Sequence, residues 1–130
     1  MTLEERAQKA SELKATGECN CTQAVLKVFE DIIPSDDRTL MTIGSGFAAG
    51  MGCMESTCGA LVGAVMTAGF ITEGQGTPRH SKEILKIFKE ACGDTICKNL
   101  KGVETGKMLC ACPDCVYNAV MALGKAGLVK

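Results

Sequence analysis

The segment CGALVGAVMTAGFIT, residues 58–72, decides the fold because it contains no charged side chain. A helix that is apolar on all sides belongs in the interior of a protein. Its fifteen residues are fewer than the roughly 20 that a bilayer span needs, so we expect a buried helix and no membrane span. Ser56 and Thr57 can cap its start. Gly59 and Gly63, four residues apart, predict that a neighbouring backbone comes close.

Helix signals continue on both sides of this segment. Thr2 with Glu5, and Asn20 with Gln23, form capping-box pairs, and Pro113 suits a first helical position. The other predicted helices cover residues 3–16, 21–33, 40–50, 78–91, a short piece after Asp94, and 113–124. No period-two alternation appears, so we predict an all-α fold, a single-domain bundle of about six helices over residues 1–130.

Charge and composition exclude several classes of function. Fourteen basic and fifteen acidic side chains leave a net charge of −1, which is not the basic field of a nucleic-acid binder. Tryptophan is absent and aromatic residues make up 4%, so stacking platforms for bases are not expected. The low charge and the small-residue helix faces suggest a homodimer.

The most unusual feature of the composition is the nine cysteines among 130 residues. The start Met1 to Arg6 is acidic and helical rather than a secretory signal, so we expect a cytoplasmic protein, in which disulfides are not the default. An odd number also leaves one thiol unpaired. Metal ligation or redox chemistry is therefore the leading interpretation, although any single cysteine can equally be an inert core residue.

Four of the thiols are predicted at the starts of four different helices. They are Cys21 after Asn20, Cys58 after Thr57, Cys97 three residues after Asp94, and Cys115 two residues after Pro113. Unpaired first-turn amides and the helix dipole stabilise a thiolate, so we expect lowered pKa values at these positions. If the four helix ends converge, they form a site for a soft cation or an anionic iron–sulfur cluster.

The remaining five cysteines leave alternatives open. They are Cys19, Cys53, Cys92, Cys110 and Cys112. Cys112-Pro113-Asp114-Cys115 is a CxxC motif, which zinc knuckles, cluster sites and dithiol oxidoreductases share. His80 is the only histidine, which excludes a zinc finger of two cysteines and two histidines.

Residues 58–63, CGALVG, read CGAxxG. With Cys21 in NCTQAV upstream and Cys97 and Cys115 downstream, the chain resembles the redox-active C_GCAxxG_C_C family over nearly its whole length. The resemblance implies a small helical protein suspected of holding an iron–sulfur or other prosthetic group, with Cys21, Cys58, Cys97 and Cys115 as its four defining cysteines. Cys92 competes with Cys97 for the third position, and Cys110 or Cys112 competes with Cys115 for the fourth. Thr57 stands where the family name has glycine.

Three hypotheses follow. In the first, the four defining cysteines ligate an iron–sulfur cluster that passes electrons to a partner protein, and a two-iron cluster is the simplest case because four thiolates suffice. In the second, Cys112 and Cys115 exchange thiol and disulfide, with Cys115 activated by its helix end. In the third, the four cysteines hold a purely structural zinc ion.

Overall fold

Seven α-helices and no β-strand make up the chain in the computed structural model, which describes residues 1–130. The helices are α1 (Leu3–Thr16), α2 (Cys21–Lys27), α3 (Asp37–Ile43), α4 (Gly59–Ile71), α5 (Thr77–Cys92), α6 (Cys97–Lys101) and α7 (Cys112–Lys125). A 3₁₀ turn at Gly44–Gly46 and a π turn at Gly50–Met54 lie between α3 and α4. The all-α prediction is confirmed; the seven helices correspond to the seven predicted segments, one more than the stated total of about six.

Helix α4 lies in the interior, as its lack of charge predicts. It packs against α2, α5 and α7, and Leu61, Ala64 and Ala68 have no exposed surface. A Cβ atom added at Gly63 would lie 2.9 Å from the Thr22 carbonyl oxygen in α2. The backbones of α2 and α4 are therefore as close as the small residues predict. None of the helices combines the length and apolar character that crossing a membrane requires.

Two predicted helices are shorter in the structure. Helix α2 begins with the expected capping box of Asn20 and Gln23, but it ends at Lys27 instead of near residue 33. Helix α3 covers 37–43 instead of 40–50, because the Asp36 side chain accepts a hydrogen bond from the Thr39 amide and starts it early. Beyond Gly44, the left-handed conformations of Ala49, Gly50, Met51 and Gly52 prevent a continuous helix.

A buried arginine ties α1 to the turns that follow α2. Arg6 donates two hydrogen bonds to the Asp31 carboxylate, at 2.7 and 2.8 Å, and a third to the Val28 carbonyl. Its guanidinium also lies 5.1 Å from the centre of the Phe29 ring. These contacts need the planar guanidinium, so a lysine cannot reproduce them.

Replacing Arg6 by alanine is expected to lower the free energy of unfolding by about 2 kcal/mol, because the buried Val28 carbonyl loses its donor and the ring contact disappears. Chemical denaturation measures the change. The Lys9→Ala variant, at an exposed position of the same helix, should lose less than about 0.5 kcal/mol. Equal losses in the two variants would show that the Arg6 contacts are not stabilising.

The same pair predicts a pH dependence. The hydrogen bonds from Arg6 lower the pKa of Asp31, so their stabilisation is present above the carboxyl's unfolded pKa of about 4 and is lost as the pH falls through the lower folded value. Because Asp31 is half exposed, solvent screens the ion-pair part of this effect. The stability difference between wild type and Arg6→Ala should therefore shrink in acid, as denaturation at several pH values will measure.

Candidate functional site

Five thiols surround one cavity of about 180 Å³. They belong to Cys21, Cys58, Cys97, Cys112 and Cys115. We call this space the thiol cavity. The structure thus brings all four sequence-predicted cysteines around one space, together with Cys112. That these cysteines bind a cofactor stays a prediction.

Cys21 is the first residue of α2, and two contacts hold that helix end in place. The Asn20 amide group donates to the Gly44 and Ser45 carbonyls, each at 3.3 Å. On the other side, a Cβ atom at Gly59 would lie 2.6 Å from the Cys21 sulfur. The glycine after Cys58 therefore gives the Cys21 sulfur its room.

Cys58 and Cys97 are placed side by side by a short antiparallel bridge between Thr57 and Ile96. The Cys58 amide donates to the Thr95 carbonyl at 2.8 Å, and the Cys97 amide donates to the Ser56 carbonyl at 3.0 Å. The expected cap by Ser56 and Thr57 is wrong, since this pairing occupies their segment and Cys58 is itself the N-cap of α4. Sequence periodicity gives no signal for a bridge of one residue pair.

The start of α7 also differs by one residue from the prediction. The helix begins at Cys112 rather than at Pro113. Cys115 is thus its fourth residue, and its amide donates to the Ala111 carbonyl at 2.9 Å. Cys112 takes the first-turn position that the sequence assigned to Cys115.

The expected fall in the pKa of the four thiols is wrong. Burial raises the pKa of Cys21 and Cys97. The contact with Cys115 and burial raise the pKa of Cys58, and the first-turn amides of Ala60 and Leu61 offset this only in part. Desolvation of the sulfurs therefore outweighs the helix-end effect.

The pKa of Cys115 is also raised, but by a different combination of causes. Its hydrogen bond with Cys58 lowers the pKa, but the neighbouring Cys92, burial and Cys110 together raise it. Cys115 is only 1% exposed. The activated Cys115 thiolate of the dithiol hypothesis is thus not supported by its surroundings.

Two lysines are the only charged side chains that line the thiol cavity, Lys14 and Lys101. The Lys101 ammonium donates to the Cys115 sulfur at 3.7 Å and to the Cys110 carbonyl at 3.3 Å. Burial lowers the pKa of Lys101, but its hydrogen bond with Cys112 and the other nearby sulfurs outweigh burial and raise it. The cavity therefore suits an anionic occupant.

A second group of thiols adjoins the thiol cavity. The sulfurs of Cys92, Cys110 and Cys115 all lie within 4.8 Å of one another, and all three residues are buried. We call this group the interior triad. It shares Cys115 with the cavity. Sequence reasoning named Cys92 and Cys110 only as competing ligands, because they are far apart in the chain and lie on no common helix.

The remaining candidates lie outside both groups. Cys19 is buried in the apolar core, and Cys53 is exposed. His80, in the first turns of α5, does not line the cavity.

Burial predicts an order of alkylation for the reduced, metal-free protein. Cys53 is exposed and Cys112 is half-buried, whereas Cys58, Cys97 and Cys115 are buried. With iodoacetamide at neutral pH, we expect Cys53 to react first and the buried thiols to react at least about tenfold more slowly. Peptide mass spectrometry over a time course measures each rate. A Cys115 rate above that of free cysteine would instead support the dithiol hypothesis, and a rate equal to that of free cysteine or below it contradicts the hypothesis.

The fold and the converging thiols define a small all-α protein with a cysteine-lined cavity that is suited to a metal or cofactor. A family model described as "Putative redox-active protein (C_GCAxxG_C_C)" matches residues 19–126. The chain therefore belongs to the C_GCAxxG_C_C family, as the resemblance of its motif predicts. No curated protein and no solved structure matches it.

Proposed function

We propose that this protein transfers electrons by means of an iron–sulfur cluster held in the thiol cavity. Cys21, Cys58 and Cys97 supply three of the ligands. The CxxC motif at the start of α7 supplies the fourth, for which Cys115 is the residue that the sequence predicts and Cys112 also lines the cavity. The observation that carries the proposal is the convergence of five thiols and two lysines on one space.

The size of the thiol cavity favours a polyatomic group over a single zinc ion. Tetrahedral zinc, with Zn–S bonds of about 2.3 Å, needs sulfurs roughly 3.8 Å apart. No three of the cavity thiols have sulfurs that all lie within 4.8 Å of one another. A volume of about 180 Å³ is also several times the roughly 30 Å³ that one water occupies in the liquid.

The charges around the cavity fit a cluster with four thiolates. Such a cluster is anionic, and hydrogen bonds to its sulfurs help set its reduction potential. Lys14 and Lys101 supply positive charge, and the amides of Leu61 and Ala60 lower the pKa of Cys58. Ala48, Ala49 and Met54 add uncharged side chains to the lining of the same space.

The bound cluster would supply one-electron chemistry, while the protein's residues bind it, neutralise its charge and shield it. Membership of a redox-active family supports this role. The electrons would pass to a redox partner protein, and we place the protein in the cytoplasm, where thiols stay reduced and available as ligands.

Anaerobic purification followed by absorption spectroscopy and by iron, zinc and sulfide analysis tests the proposal. We expect broad charge-transfer bands between roughly 320 and 600 nm, with iron and acid-labile sulfide in equal amounts. One zinc per chain without iron would overturn the proposal in favour of the structural site, since zinc gives no visible colour. Protein free of metal after anaerobic reconstitution with iron and sulfide would overturn it in favour of thiol exchange.

A further inference from the structure

The interior triad has a geometry different from that of the thiol cavity. In a trigonal planar site, one metal ion binds three sulfurs at metal–sulfur distances of about 2.3 Å, and the sulfurs then lie roughly 4.0 Å from one another. The sulfurs of Cys92, Cys110 and Cys115 already lie within 4.8 Å of one another. Small rotations of these side chains would bring all three to one ion, which the wider spacing around the cavity does not allow.

Two sulfurs of the interior triad accept hydrogen bonds from neighbouring side chains. The Asn118 amide group donates to the Cys92 sulfur at 3.3 Å, and the Lys101 ammonium donates to the Cys115 sulfur at 3.7 Å. Such donors stabilise thiolates and orient metal ligands. They come from side chains on α6 and α7, so the arrangement is built by tertiary structure.

The number and kind of ligands select the ion. The triad offers three thiols and no carboxylate or imidazole, while structural zinc takes four ligands. Thiolate ligands favour soft metals, copper(I) among them. Binding releases the thiol protons, and the positive charge of Lys101 offsets part of the resulting negative charge.

We infer that Cys92, Cys110 and Cys115 form a second metal site. It binds one soft cation that takes few ligands, namely copper(I). A sulfur committed to this site is not available to the thiol cavity. Cys112, the first residue of α7, then completes the cavity set with Cys21, Cys58 and Cys97. This division of ligands rests on the proposed function, whereas the copper site itself does not.

Anaerobic titration with copper(I), in competition with a chromophoric copper(I) chelator, tests the second site. The protein is used as purified, with its cavity cofactor, and copper per chain and visible absorbance are read on the same sample. We expect one copper per chain with the visible absorbance unchanged. Cys92→Ser and Cys110→Ser should each weaken copper binding by at least about a hundredfold. Loss of a residue that only supports a ligand weakens metal binding by about a hundredfold at most, so a larger effect identifies a direct ligand.

Controls separate this site from the thiol cavity. Cys53→Ser, at an exposed position, should bind copper as wild type does, and circular dichroism verifies that each variant is folded. The inference is overturned if wild type takes up no copper, or if both triad variants retain full affinity. It is equally overturned if copper bleaches the cofactor of wild type and of Cys92→Ser to the same extent, because the copper would then occupy the cavity.

The two proposals fail in distinguishable ways. If the purified protein contains no iron, the proposed function fails, and the same titration of metal-free protein should still show one copper fewer in Cys92→Ser than in wild type. If iron is present, Cys112→Ser should lose it while Cys92→Ser retains it. Retention of iron by Cys112→Ser would overturn the division of ligands.

Discussion

Replacing Gly59 by alanine should remove most of the proposed cavity cofactor and lower the free energy of unfolding by about 2 kcal/mol, as expected for overpacking of a tight core. The added Cβ would lie 2.6 Å from the Cys21 sulfur, 2.8 Å from the Thr22 hydroxyl oxygen and 3.0 Å from the Ala48 Cα. The three atoms belong to two side chains and to the backbone of Ala48, so rotating one side chain does not relieve all three close contacts. Relief requires α2 to move away from α4.

That movement would affect binding directly, because Cys21 is the first residue of α2. Thr22 would be displaced as well, and its hydroxyl now donates to the Gly59 carbonyl at 2.8 Å. Iron content and visible absorbance measure the loss of cofactor, and chemical denaturation measures stability.

A second glycine in the same helix provides the control. A Cβ at Gly69 meets nothing within 4 Å. Gly69→Ala should therefore retain the cofactor and gain up to about 1 kcal/mol, the difference in helix propensity. If Gly59→Ala behaves like Gly69→Ala, the close approach of α2 and α4 is not what positions Cys21.

Replacing Cys58 by serine is expected to abolish retention of the cofactor, to below about a tenth of the wild-type content, since losing a direct ligand should cost more than losing an outer-shell partner. Cys58 lies next to Cys97 through the Thr57–Ile96 bridge and caps the start of α4. A serine oxygen is a hard ligand and a poor substitute for thiolate toward iron–sulfur groups.

Cys53→Ser is the matched control for this variant. Cys53 is exposed, and its thiol donates only to the Gly50 carbonyl, at 3.6 Å. We expect the iron and sulfide content of Cys53→Ser to equal that of wild type. Loss of cofactor in both variants, or in neither, would contradict the assignment of Cys58 to the site.

Local chemistry made part of this molecule predictable. The capping boxes at Thr2 and Asn20 fix the starts of α1 and α2, and the uncharged segment after Cys58 becomes the buried helix α4. Each of these signals depends on residues within one or two turns, so a single sequence contains them. The resemblance to the family rests on similarly short motifs.

The features that escaped prediction depend on parts of the chain that are distant in sequence. The bridge between Thr57 and Ile96 replaces the expected cap. The third helix gives way to a 3₁₀ turn at Gly44–Gly46, and the left-handed residues from Ala49 to Gly52 prevent a helix from resuming up to residue 50. Contacts between the sulfurs and burial together reverse the expected direction of the thiol pKa shifts. The approach of Cys92 and Cys110 to Cys115 likewise appears only when α5, α7 and the loop before α7 pack together.

The thiols around the cavity come from α2, α6, α7 and the residue that caps α4. A group bound to all of them would act as a multiple cross-link, closing several long loops of the unfolded chain at one point. Its binding energy would then be folding energy for the whole bundle. Removing the group with a chelator should accordingly lower the unfolding temperature of the entire domain instead of loosening a single surface loop.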